Sequence, residues 1–473
     1  MKKFLSYFVI SFFLFFSALN AHPLKEPEFK TLKFLPPKIE SHSLQSGATL
    51  FMLEDHELPL VQLTALVRTG TMFESDREVG LASLCGALLR AGGTTKRKVE
   101  KMDEELEFMG ASLESGIDLE SGSISLSILS KDLDKGLNLF FEMLTSPNFD
   151  KRKLEIEKAK IIETIRRRND DPFQIARREF RKLLYGPKHP LSRTQEIPSI
   201  KKISRKDLFN FYQQYYFPNN MMIAISGDFS SKEIIQKLEN YFSSWKKEKR
   251  ELAGVVSLQE QERFLKKAKG VGFAEKKINQ ASVLIGQLGI KRHNPDRFAL
   301  EVLNEILGGS SSSRLYKEVR SRSGLAYWVG SSFSEPYDYG IIAAGCQTKS
   351  ETLGQAIRSI FKQVESLNSF LVSEEELKAA KEALINSFIF RYNSSHAIVT
   401  QKMNLDYFGF AKDYLETYTQ KIEELTSSQL LEVARKYLKP EEMTLMVVGE
   451  EASFDVPLKE FGTVQPIDLK VNE

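Results

Sequence analysis

Thiols and imidazoles are scarce: the 473-residue chain holds two Cys and six His. Cys85 and Cys346 stand one in each half, which excludes a disulfide framework and leaves room for a single bridge at most. The histidines, His22, His42, His56, His189, His293 and His396, never occur as a close pair, so no stretch supplies two imidazoles to one metal ion. An excess of one charge is missing too. Lys plus Arg is 66 against 63 for Asp plus Glu, and loss of Lys2 and Lys3 with a cleaved leader leaves 64 against 63. A chain so near neutrality has no electrostatic footprint for nucleic acid. After residue 19 no stretch is long and apolar enough to cross a bilayer, which excludes stable membrane insertion of the mature chain.

What is present begins with a leader. Lys2-Lys3, an apolar run from Phe4 to Leu19 and the small-residue exit Asn20-Ala21-His22 follow the order of a secretory signal, with cleavage expected after Ala21. Sixteen apolar residues fall short of the ~20 that span a bilayer, so an uncleaved anchor is the weaker reading. No lipobox cysteine follows, and the expected location is the periplasm. The rest is built to pack: 42% hydrophobic, 27% charged, with 33 Phe and 15 Tyr. That composition and length predict two or three domains with their own cores.

Ser123-Ile124-Ser125-Leu126-Ser127-Ile128 alternates as a strand with one buried face does. Thr49 to Glu54, Leu60 to Thr69, Met221 to Ser226, Ile341 to Thr348 and Met443 to Val448 are further strand candidates. Val99, Met102, Leu106 and Met109 recur at helical spacing, as do Leu377, Ala380, Leu384 and Phe388 after the capping signal Ser373-x-x-Glu376. Without regular βαβ alternation, the mixture predicts an α+β class, each unit a mixed, mostly antiparallel sheet packed against helices.

The ends of the two halves repeat in one register. Ser204-x-x-Asp207-Leu208 leads to Tyr215, Pro218, Met221, Gly227 and Asp228; 222 residues later Thr426-x-x-Gln429-Leu430 leads to Tyr437, Pro440, Met443, Gly449 and Glu450. Leu154 and Lys158 answer Leu377 and Lys381 at nearly that offset. Two tandem copies of one α+β unit follow, with expected boundaries of 1–21 for the signal peptide, 22–250 for the first domain, 251–266 for a linker in the charged stretch Trp245 to Lys269, and 267–473 for the second domain.

Gly80 to Leu89 predicts a short helix closed by Gly92-Gly93. Leu81, Leu84, Cys85 and Leu88 form its apolar face, and Ser83, Gly86, Ala87 and Arg90 a face of small residues. Gly86 costs about 1 kcal/mol against alanine inside a helix, so something other than helix stability sets it, close packing being the plain explanation.

Here the chain resembles the M16 family of zinc peptidases (insulinase, pitrilysin and mitochondrial processing peptidase) over nearly its whole mature length. The resemblance rests on Gly80-Leu81-Ala82, on Ile161 to Arg166 followed by Asp171-Pro172, and on Tyr185-Gly186-Pro187-x-His189-Pro190. It continues through Tyr216-Phe217-Pro218-Asn219 with Ile225-Ser226-Gly227-Asp228, and Arg314-Leu315 with Arg320 and Leu325-Ala326-Tyr327. It implies that active members carry His-x-x-Glu-His on the first helix and a distal Glu, holding zinc and activating water. On that mapping the His positions fall on Ser83 and Ala87, the Glu on Gly86, and the distal ligand on Thr164. Glu163 is one residue off and points about 100° round the helix axis. No metal is expected in this chain, and it is not expected to cut peptides alone.

The resemblance also places a substrate-contacting Arg and Tyr in the second half, matched by Arg320 and Tyr327. The Arg fork and the Tyr hydroxyl are donors suited to a peptide carbonyl or a developing oxyanion. The plain alternative is a solvated helix residue and a half-buried strand start. Gly308-Gly309-Ser310 to Ser313 lacks the Gly-Lys-Ser/Thr element of a phosphate loop. The cluster Arg166, Arg167, Arg168, Arg177, Arg178 and Arg181 is interrupted by Asp170, Asp171 and Glu179 and reads as a solvated helix face.

The implied function is that of a non-catalytic subunit of a heteromeric M16 metallopeptidase: a partner bearing His-x-x-Glu-His brings zinc, and this chain brings Arg320 and Tyr327 to an extended peptide. The alternative is a peptide-binding or assembly protein of the same fold with no hydrolytic partner. A relocated metal site is the weakest reading, because the histidines are scattered.

Overall fold

Two six-stranded sheets share one strand plan. The computed structural model describes residues 37–245, 270–334 and 339–472; the leader and the expected linker 251–266 lie outside the described residues. In the first half β1 (Glu40–Ser43), β2 (Thr49–Glu54), β3 (Leu60–Val67), β4 (Ser112–Ile117), β5 (Gly122–Leu129) and β6 (Met221–Gly227) lie in the order β1-β2-β6-β3-β5-β4. In the second, β7 (Gly270–Glu275), β8 (Gln280–Leu288), β9 (Ala326–Phe333), β10 (Ile341–Lys349), β11 (Thr444–Gly449) and β12 (Val464–Pro466) lie in the order β12-β7-β11-β8-β10-β9. Five strands correspond one to one; the sixth differs, since β1 runs antiparallel to β2 whereas β12 runs parallel to β7. The α+β class and the tandem repeat are therefore observed, in sheets where only the β2–β6, β7–β11 and β7–β12 pairs are parallel.

The alternating segment behaves as its pattern dictates. Ile124, Leu126 and Ile128 of β5 enter the first core with Val61, Leu63, Ala65 and Val67 of β3, while the intervening serines face away. The two repeated helices, Arg205–Tyr215 and Ser427–Tyr437, open on the same capping box. The Asp207 carboxylate accepts from Ser204 N at 2.8 Å and the Gln429 side chain from Thr426 N at 2.9 Å. Ser373 and Glu376 cap Glu374–Phe390 likewise, but Ile385, rather than Leu384, takes the buried place.

Each half lends a helix to the other's sheet. Pro172–Tyr185, from the first half, sets Ile175, Ala176, Phe180 and Leu184 against Ala274, Leu284, Met446 and Val448 of the second sheet. Ser395–Tyr407, from the second half, sets Val399, Met403 and Tyr407 against Phe51, Leu66, Met222 and Ala224 of the first. Polar pins lock the exchange. Tyr407 Oη donates to Glu120 O at 2.8 Å, Tyr185 Oη donates to Tyr339 O at 2.7 Å, and Arg292 forms a largely buried ion pair with Glu120. Cys85 and Cys346 are buried and unbridged, one in each half. Among the described residues no helix is long and apolar enough to cross a membrane.

Candidate functional site

The helix Leu81–Ala91 forms because Leu81, Leu84, Cys85 and Leu88 bury one continuous stripe in the first core. Its N-terminus is capped from a distance. Gly80 has no capping side chain, and Glu74 accepts from Gly80 N at 3.1 Å and Ala82 N at 2.6 Å instead. Glu74 is buried, and desolvation pushes its pKa up to about 7 against the pull of those two hydrogen bonds and of Arg193. Cys85 is fully buried and its thiol is pushed well up by desolvation, which leaves no thiolate for chemistry.

On the small-residue face, Gly86 lies against β4. A Cβ placed there would stand 2.5 Å from Ile117 N and 2.8 Å from Gly116 C, and Ser115 Oγ donates to Gly86 O at 2.6 Å. Close packing thus accounts for Gly86. Ser83 Oγ accepts from Gln195 Nε2 at 3.3 Å, and Thr164 Oγ1, on the exposed side of the helix Lys151–Arg166, donates back to Lys160 O at 3.0 Å. Thr164, Glu74 and Gln195 line one pocket of about 300 Å³. Two hydroxyls, a methyl and a missing side chain are not a zinc donor set, so Ser83, Gly86, Ala87 and Thr164 do not fit the metal and no step is drawn through it. Nor do three or more His, Cys, Asp or Glu converge elsewhere among the described residues. His189 is a core residue stacked on Tyr185, His56 bonds Asp228 at 2.8 Å, and His396 sits between Thr64 and Ser226.

The arginine cluster corrects the expectation of a wholly solvated face. Arg168 grips Glu196 with two bonds of 2.9 and 3.1 Å, and Arg178 bonds Glu179, Asn169 and the carbonyl of Arg168. Both are half-buried, because they tie the turn between two helices to the first half.

Arg320 and Tyr327 are brought together. Tyr316–Arg322 winds as a π-helix, a form that recurs at functional sites, and its last turn faces the start of β9. The guanidinium carbon of Arg320 is 5.8 Å from the Tyr327 ring centroid and 4.8 Å from that of Tyr316. Arg320 pairs with no carboxylate among the described residues, and Tyr327 is 77% exposed. Arg320 is exposed on its helix, as the plain alternative has it, whereas Tyr327 is exposed rather than half-buried. Next along β9, Trp328 packs edge-on against Phe173 at 4.9 Å, so the helix lent by the first half buttresses the strand that carries Tyr327. Sequence reasoning missed Tyr316, Trp328 and Glu74. Tyr316 had one signal, its i, i+4 spacing from Arg320; Glu74 had none, since its partners depend on a chain reversal.

At the free edge of the first sheet, Arg90 Nε donates to Leu113 O at 2.8 Å. That carbonyl of β4 is therefore already engaged.

Comparison with known proteins places this geometry. Residues 51–192 match the sequence model of insulinase (peptidase family M16), and residues 202–384 match that of the peptidase M16 inactive domain. An uncharacterized zinc protease of Rickettsia felis is 23% identical over 374 residues, covering 78% of this chain and 87% of the relative. The non-peptidase homolog YmxG of Helicobacter pylori is 24% identical over 415 residues, covering 86% and 93%. A crystal structure of the peptidase M16 inactive domain from Pseudomonas fluorescens superposes with a TM-score of 0.77 at 26% identity, covering 87% of this chain and 98% of that one. The chain belongs to the M16 (insulinase) peptidase family.

Proposed function

We propose that this chain is the non-catalytic subunit of a two-chain M16 peptidase and supplies Arg320 and Tyr327 to an extended peptide held against a zinc-bearing partner. The observation that carries the proposal is the state of Arg320, whose guanidinium lies against the rings of Tyr316 and Tyr327 and pairs with no carboxylate among the described residues. A guanidinium and a phenol side by side can donate to one carbonyl oxygen from two directions, and such donors are worth most where charge develops during acyl transfer. The unsuited front positions are in keeping with metal chemistry supplied by the partner, where alone zinc is expected. The name of the Helicobacter pylori relative, a non-peptidase homolog, is in keeping with a chain inactive by itself. The charged, apolar and small-residue order of residues 1–22 supports export to the periplasm with the leader removed.

The test mixes the full mature chain with a cognate subunit bearing His-x-x-Glu-His and follows cleavage of an extended peptide. The chain raises the partner's rate, and Arg320→Ala or Tyr327→Phe removes most of the gain. Partner activity that is the same with and without this chain refutes the proposal and leaves an assembly or peptide-binding role without hydrolysis.

A further inference from the structure

A second cavity, of about 500 Å³, opens where the helix Ser395–Tyr407 crosses β3, on residues the M16 reading does not use. Its size lies within the roughly 300–1,000 Å³ of small-ligand pockets. Gln62 of β3 and Gln401 and Asn404 of the crossing helix line it with their amides, and none of the three side chains bonds another described group. Thr400 Oγ1, also in the lining, is shut off from solvent and has no hydrogen-bond partner among the described residues. A hydroxyl that has lost water normally has a protein or bound partner, so Thr400 Oγ1 together with three half-buried, uncommitted amides facing one space points to a ligand.

The charge of the lining narrows its chemistry. No Asp or Glu is among the described lining residues. Arg391 is the one fixed cation, it pairs with no described carboxylate, and its single bond to Ser387 Oγ is long at 3.4 Å. His396 adds no free donor, because Thr64 Oγ1 at 2.9 Å and Ser226 Oγ at 3.0 Å engage both ring nitrogens. A single guanidinium suits a carboxylate, and primary amides offer the paired donor and acceptor that a peptide group reads.

We infer that this cavity binds the carboxylate end of a short peptide, with Arg391 on the carboxylate and Gln62, Gln401 and Asn404 on the adjoining peptide groups. The site shares no residue with the Arg320/Tyr327 pair and stands or falls separately from it.

Isothermal titration of the full mature chain with trialanine, trialanine amide and inorganic phosphate tests the inference. Trialanine binds at one saturable site, the amide binds at least about tenfold more weakly, and Arg391→Gln lowers trialanine affinity by about the same factor. Arg391 is exposed, so its replacement leaves the fold intact, and Arg320→Ala leaves trialanine binding unchanged. No saturable binding, equal affinity for acid and amide, indifference to Arg391→Gln, or phosphate binding as tightly as trialanine each overturns it.

Discussion

Gly86 and Gly308 stand 222 positions apart and make the same contact in the two sheets. A Cβ on Gly86 would meet Ile117 N of β4, and one on Gly308 would meet Ser331 N of β9, both inside the 3.0 Å that real Cβ atoms keep. Each holds a helical segment against the outer strand of its sheet. In the first half the helix therefore lies too close to β4 for any side chain at residue 86.

Gly86→Ala and Gly308→Ala are each expected to cost about 1–3 kcal/mol through overpacking against a backbone that cannot move aside cheaply. Gly116→Ala, where an added Cβ meets nothing within 4 Å, serves as the control and leaves stability unchanged or slightly raised. Denaturant midpoints of the three variants decide it; a Gly86→Ala midpoint equal to wild type contradicts the close approach.

Tyr316 is expected to position Arg320. Tyr316→Phe keeps the ring and should keep the partner's gain in peptide hydrolysis, whereas Tyr316→Leu should lower that gain severalfold, because a face worth about 0.5–1 kcal/mol or more to the guanidinium is lost. The split between the two variants in kcat, at unchanged melting temperature, separates positioning from stability.

The exchanged helices predict that neither half folds well alone. Without the second half, Ile175, Phe180 and Leu184 lose their cover, and without the first half Val399, Met403 and Tyr407 lose theirs, at about 1.5–3 kcal/mol for each large apolar side chain. Residues 37–245 and 270–472 expressed separately should aggregate or lack near-ultraviolet circular dichroism, and co-expression should recover a complex. In the intact chain Phe180→Ala should cost about 3–5 kcal/mol although Phe180 is remote from its own half's sheet.

Glu74 makes stability depend on pH in an unusual direction. Its pKa is about 7 in the folded chain. An unfolded Glu titrates near about 4.3, so between these values the folded state binds more protons and stability falls as pH rises, by at most roughly 4 kcal/mol once pH 7 is passed. Glu74→Gln retains an oxygen for Gly80 N and Ala82 N without the buried charge. The variant should therefore match wild type near pH 4 and exceed it near pH 8, less whatever the attraction of Arg193 contributed. Urea melts at the two pH values check the sign.

Much of the fold was legible. Period-two alternation located β5, apolar runs located β2, β3, β6, β10 and β11, and the capping signals before residues 205, 374 and 427 were each met by a capping box. β4 was missed because Ser112-Leu-Glu-Ser-Gly-Ile carries too few apolar residues for an edge strand to stand out, and β9 because its period is broken where Tyr327 and Trp328 both face outward. The register shift between β9 and β10 falls at Gln347/Thr348, beside that break.

From the chain of letters alone came the repeat and the α+β class, while the Arg320/Tyr327 candidates and the expectation of no metal came from the resemblance to the M16 family. The class rests on periodicities within a few turns, and the repeat on one register of capping, proline and glycine signals. Which helix covers which sheet, why residue 86 has no side chain, what orients Arg320, and the cavity around Gln62 and Arg391 were decided only by folding. They depend on pairs such as Thr64 and His396, 332 positions apart, whose meeting no local pattern encodes and which form only as the two halves bury their apolar faces against each other.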